Sequence, residues 1–204
     1  MADRDVPRAW MLPDEPLPVR LMSTIWADVE GLHDDLREPS DVDAWLDAVG
    51  VDRYGARTSA DELASARALR DAVRFLAAQV TGDERQAAIT PVPDVGTAVQ
   101  RVNAAAVRLP APRLEINGEA VCEGLAIDGS AVTAGLARVA GESIALLGGS
   151  EAARLRACYA PGCVLYFVKA HPRREWCSVA CGNRVRAARH YGKTREAKGP
   201  PMAE

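Results

Sequence analysis

Four cysteines in the last quarter of the chain constrain its fold more than any other feature. Cys158-Tyr-Ala-Pro-Gly-Cys163 puts two thiols on one tight turn, and thirteen residues later Cys177-Ser-Val-Ala-Cys181 puts two more on another. Two short loops that each supply two soft ligands are the layout of a tetrahedral, structural Zn²⁺ site. Four protein ligands close the coordination sphere and leave no place for a reactive water, so a catalytic zinc is not expected. The rival reading is four unrelated buried thiols, whose pairing in two turns would then be coincidence. His171 and His190 flank the cysteines, but with four thiolates present neither is needed as a ligand. Cys122 stands alone and reads as a small buried apolar residue.

The residues around the cysteines supply local structure. Val164-Leu-Tyr-Phe-Val-Lys169 is a β-branched and aromatic run ended by His171-Pro172, which predicts a short strand or hairpin. Ser178 is placed to cap a helix from Val179 to about Gly192, so Cys181 falls in the first turn, where the backbone dipole favours a thiolate. The pattern is treble-clef-like. At about 100° per residue, Val185 and Ala188 fall near the direction of Cys181 and should face the core, with Arg184 within about 60°, close enough to answer the thiolate charge. Arg186, Arg189, His190 and Lys193 gather on an outer side, a basic stripe of the kind that meets phosphates or a major groove, and with Arg184 they are the candidate nucleic-acid contacts. The plainer reading is a solvated charged face. A module of about fifty residues buries too little core to hold itself, so zinc loss should unfold the tail selectively.

The remainder reads as helical. Of the 204 residues 48% are apolar but only 5% aromatic, so the core rests on Ala, Val and Leu, which favour close-packed helices. Periodicity and breakers predict helices over 17–29, 40–50, 59–80, 94–107 and 130–147, the third opened by the capping box Ser59-Ala-Asp-Glu62. Alternation around Asn117-Gly118 predicts a hairpin over 113–122. The expected fold is therefore mainly α with a small β-hairpin: a helical body over 1–150, then a small zinc module over 151–204. Arg67, Arg70 and Arg74 recur on the third helix and read as a solvated side paired with Asp71 and other acids. His33, beside Glu30, Asp34 and Asp35, reads as an acidic, solvated helix end.

Charge is unevenly divided. From Glu151 onward eleven Lys/Arg face four Glu, whereas 14 basic and 24 acidic residues precede it. An acidic body bearing a basic metal module implies an anionic partner for the tail, nucleic acid first. The apolar stretch 131–147 is interrupted by Arg138 and Glu142, and the charged N-terminus lacks the apolar segment of a secretory signal, so no membrane partner and a cytoplasmic location are expected. Clustered cysteines in that reducing compartment point to metal rather than disulfides.

Cys181-Gly182-Asn183-Arg184, within APGCVLYFVK and HPRREWCSVACGNRVRAARHY, resembles the signature of the CGNR zinc-finger family. The region PLPVRLMSTIWADVEGLHD and the Ser59 helix resemble the ABATE domain that usually precedes this finger. The family position at Ser23 is usually Asn before Thr, a departure here. The resemblance implies a stress-induced bacterial transcriptional regulator with the finger as its DNA-binding part and with Cys158, Cys163, Cys177 and Cys181 as zinc ligands.

Two non-enzymatic functions compete. In the first, the finger contacts DNA while the body senses a signal, for which a small-molecule effector is open, or forms a homodimer. In the second, the zinc module is a knuckle in a protein- or RNA-binding adaptor. An enzyme is not expected, because the body has no Ser-His-Asp order, phosphate loop or His-rich site.

Overall fold

Capping chemistry decides where most of the helices begin. The computed structural model describes residues 12–126 and 129–197, without the side chains of Leu125 and of positions 192–197. In chain order the elements are α1 (Leu17–Met22), β1 (Ile25–Ala27), β2 (Leu32–Asp34), α2 (Pro39–Val49), α3 (Ala60–Thr81) and α4 (Val95–Ala106). They continue with β3 (Ala111–Asn117), β4 (Ala120–Ala126), α5 (Ala131–Gly148), β5 (Leu155–Ala157), β6 (Tyr166–Val168) and α6 (Val179–Ala197). Ser59, Asp94 and Ser130 cap α3, α4 and α5, each accepting from the N–H three residues on. Glu62 closes the Ser59 capping box and also accepts the hydroxyls of Ser130 and Thr133, so one carboxylate joins the starts of α3 and α5. The chain is mainly α, with three antiparallel two-stranded sheets, β1-β2, β3-β4 and β5-β6.

Four expectations are corrected. The helix expected over 17–29 stops at Met22, because Ser23 and Thr24 donate their hydroxyls to the carbonyls of Arg20 and Leu21 at 3.0 and 2.8 Å. Ile25 and Trp26 then enter a strand, which suits their shape, and Trp26 pairs with His33. His33 is thus a strand residue stacked on Trp26, with ring centroids 4.3 Å apart, rather than part of a helix end. The second helix begins at Pro39, where a missing N–H costs nothing, and the Asp41 carboxylate accepts from the N–H groups of Arg37 and Glu38. In the β3-β4 hairpin Asn117 pairs with Ala120, so the turn is Gly118-Glu119 with Gly118 at φ 64°, one residue later than Asn-Gly centring implies.

The body's core forms around α3, which packs against α1, α2, α4 and α5. That position overturns the solvated side expected for its arginines, since Arg70 and Arg74 are only 3% and 2% exposed, while the expected pairing with Asp71 and another acid holds for Arg70. Arg70 makes a two-pronged ion pair with Asp34 at 2.6 and 3.0 Å and reaches Asp71 at 3.0 Å. Arg74 donates to the carbonyls of Met22 and Ala87, and burial lowers its pKa. Arg67 donates to the carbonyls of Leu36 and Arg37. A helix surrounded on several sides has little solvent face, so its arginines are satisfied by carboxylates, as Arg70 is, or by loop and helix-end carbonyls, as Arg67 and Arg74 are. Among the described helices α5 is long and apolar enough to cross a membrane, yet half of it is buried in this core.

The strands β5 and β6 join the body to the cysteines. Leu155 pairs with Val168 and Ala157 with Tyr166, and all four side chains belong to the body's apolar cluster. The intervening pair, Arg156 and Phe167, points the other way, with Phe167 in a second cluster built on the cysteines. One two-stranded ribbon therefore serves both cores.

Candidate metal centre

Two turns and one helix start bring the thiols together. Gly162 takes φ 72°, which lets the first turn close so that Cys163 N–H donates to the Ala160 carbonyl at 2.9 Å. Ser178 accepts from the Cys181 N–H at 3.2 Å, fixing the first turn of α6. The sulfurs of Cys158, Cys163, Cys177 and Cys181 all lie within 4.8 Å of one another, and all four residues are buried. Cys163 and Cys177 are 3.8 Å apart at sulfur, and Cys177 and Cys181 3.4 Å. Zn–S bonds of about 2.3 Å at tetrahedral angles require sulfurs about 3.8 Å apart, so the donor set fits the ion in chemistry and in size. When bound, zinc ties the two turns to the start of α6.

The thiols respond to one another. Contacts with Cys163 and then Cys177 lower Cys158 to about 7. The other three thiols, and after them the Arg184 guanidinium, pull Cys181 down, whereas its neighbours push Cys177 up. Thiols this close share the negative charge that a soft cation neutralises.

The CGNR run has a physical reading at each position. Cys181 is a ligand. A Cβ on Gly182 would come within 3.3 Å of Trp176 Cδ1, so the glycine lets α6 start tight against that ring. Asn183 Oδ1 accepts from the Arg186 guanidinium. Arg184 Nη2 donates to the Cys181 sulfur at 2.9 Å, as the helical projection implied. Val185 is buried as expected, but Ala188 is exposed, because the finger's small core reaches only the first turns of α6. From Arg186 to Tyr191 every residue is exposed. Arg186, Arg189 and His190 therefore lie on a helix leaving the module, whereas the Lys193 side chain lies outside the described residues. Cys122 is half-buried in the β3-β4 hairpin, far in sequence from the cluster.

The body supplies three residues that the motif does not mark. Arg85 donates through Nη1 to the carbonyls of Cys158 and Cys163 at 2.8 and 2.7 Å, clamping the first turn. Asp83 holds that guanidinium through both carboxylate oxygens at 2.7 Å and accepts from the Tyr166 hydroxyl at 3.0 Å. Glu15 is buried, accepts from the Val168 N–H at 2.9 Å and pairs at 2.5 Å with Arg174, which also donates to the Cys177 carbonyl. The apolar packing agrees: Trp26, Ala27 and Ala87 of the body pack on the cysteine cluster. Nothing local in the sequence ties Asp83 or Arg85 to cysteines more than seventy positions away.

A second group, Asp28, Glu30 and His33, could also approach a metal, but its carboxylates are exposed and His33 Nε2 already lies 2.7 Å from Asp28 Oδ1.

Comparison with known proteins agrees with this architecture. Residues 15–150 match the ABATE family model, described as "Putative stress-induced transcription regulator", and residues 154–194 match the CGNR zinc finger. A search of curated proteins finds no match. The ABATE match spans well over half of the chain, and the finger match contains all four cysteines. The chain thus belongs to the ABATE family and ends in a CGNR zinc finger built on a buried, structural four-thiolate site.

Proposed function

We propose that the protein is a cytoplasmic, DNA-binding transcriptional regulator of bacterial type, without enzymatic activity, whose finger presents α6 to the duplex. The supporting observation is the course of α6. It starts on the zinc ligands, is exposed at every position from Arg186 to Tyr191, and continues to Ala197. Nineteen residues at 1.5 Å each make a rod of about 28 Å, long enough to lie in a major groove. Arg184 is occupied at the metal centre; Arg186, Arg189, His190 and, further along the sequence, Lys193 are the residues proposed to meet phosphates. The charge of the tail supports the same partner, since it opposes that of the body.

Fluorescence anisotropy with a labelled duplex at several salt concentrations tests this reading. Affinity should fall steeply with salt and drop most of the way when Arg186, Arg189 and Lys193 all become Ala. Salt-independent binding, or an unchanged triple variant, overturns it.

The β3-β4 hairpin favours a second, compatible role for the body as a homodimer. Leu114, Ile116 and Val121 share one face of the hairpin by register and are 80%, 81% and 68% exposed. A lone two-stranded ribbon is marginal in water, so an apolar face on one fits burial against a partner. Saturable binding to one other protein, with no binding to duplex DNA, would instead favour the adaptor reading.

A further inference from the structure

The basic residues of the tail do not all run along α6. Because Arg156 and Phe167 are cross-strand partners and Lys169 lies two residues beyond Phe167, all three belong to the ribbon face opposite the one that joins the body's apolar core. Arg189 of α6 comes over that same face. Together with Trp176 and Arg174 they line a cleft of about 330 Å³ between ribbon and helix. Arg174 is committed, paired with Glu15, bonded to three carbonyls and 4.9 Å above the Phe167 ring. Arg156 Nη1 donates to the carbonyls of Ala153 and Leu155 at 2.8 and 2.7 Å, and its Nε and Nη2 make no hydrogen bond among the described residues. The Lys169 ammonium and Arg189 guanidinium have no carboxylate or carbonyl partner among the described residues. One anionic side chain, Glu175, lines the same cleft and makes no ion pair among the described residues.

We propose that this cleft is a phosphate seat, in which Arg156, Lys169 and Arg189 hold a backbone phosphate of the bound DNA while the rest of α6 follows the groove. The inference rests on the DNA-binding reading and adds two residues, Arg156 and Lys169, that lie outside the CGNR helix. Three cations from three elements around one concavity cost repulsion when empty and release it when a phosphodiester enters. The metal fixes the spacing, because the ribbon and α6 are joined through the cysteines. Glu175 opposes the anion and sets a limit on affinity.

The test uses the full-length zinc-loaded protein, a labelled duplex and a salt series. Replacing Arg156 and Lys169 with Ala together should lower affinity roughly ten- to a hundredfold near 0.1 M salt and reduce the salt slope by about one, the single phosphate that the seat holds. Zinc content and thermal unfolding measured alongside separate this from loss of the fold. Glu175→Gln supplies the opposite sign: it should tighten binding severalfold. If the wild-type protein binds duplex in a salt-dependent way but neither variant changes its affinity, the phosphate seat is wrong and the DNA-binding reading stands. If the wild-type protein does not bind duplex at all, both fall.

Discussion

Single residues around the zinc ligands carry much of what distinguishes this site from four thiols in a turn. Arg184 touches the Cys181 sulfur directly, so its removal withdraws the charge nearest the metal centre. Arg184→Gln should weaken zinc binding by about tenfold, at the lower end of what partners of metal ligands contribute, as read by competition with a chromogenic chelator. Asp83 acts at one remove. Burial pushes its carboxyl upward, but the bonds from Arg85 and Tyr166 outweigh this and leave it below the ordinary 3.8. A depressed carboxylate pKa gives stability that is present above the ordinary value and lost as pH falls through the folded one. Asp83→Asn should therefore cost about 1–3 kcal/mol at neutral pH, with a constant gap to wild type down to about pH 4 that closes below it. Denaturant unfolding across that range measures it. The importance of Arg184 was legible from spacing alone. That of Asp83 was not, since its partners Arg85 and Tyr166 meet it only through the fold.

At the scale of elements, the ribbon β5-β6 changes what metal removal should do. A fifty-residue finger standing alone would unfold whole, as its length implies. Here Leu155, Ala157, Tyr166 and Val168 are part of the body's core, and Glu15 and Asp83 hold the ribbon by hydrogen bonds. Chelation should accordingly strip amide-exchange protection from the two cysteine turns and from α6, while the ribbon keeps most of its own. Loss of protection over β5-β6 at the same rate as α6 would show that the metal holds both. The helices with local caps, α3, α4 and α5, were readable in advance because Ser59, Asp94 and Ser130 act within three residues. The end of α1 is not legible from spacing, because Ile25 and Trp26 continue a helical pattern while the Ser23 and Thr24 hydroxyls withdraw the carbonyls that would extend it.

For the whole molecule, body and finger share apolar packing, hydrogen bonds and the Glu15–Arg174 ion pair, so a change in the body can reach the cysteine turns through Arg85. The face left over is the hairpin β3-β4. Replacing Leu114, Ile116 and Val121 with Thr keeps strand propensity while removing most of the exposed apolar area. Light scattering after size exclusion should show a wild-type dimer and a monomeric variant with unchanged helix content; a monomeric wild type ends the proposal that the hairpin joins two copies.

By itself the sequence determined the metal, the kind of fold and the starts of α3, α4, α5 and α6. Each depends on residues close together in the chain: paired cysteines, a periodic apolar stripe, a cap three residues from the N–H it accepts. The arginines of α3 and the clamp of Asp83 and Arg85 on the first cysteine turn were decided only in three dimensions. So was the gathering of Arg156, Lys169 and Arg189 around one cleft. Those side chains are charged and read locally as solvated. Whether such a group meets water or a carbonyl far along the chain depends on which helix is surrounded and which ribbon lies between two cores. The four cysteines choose the ion, and the body they dock on decides which basic residues are left to face a partner.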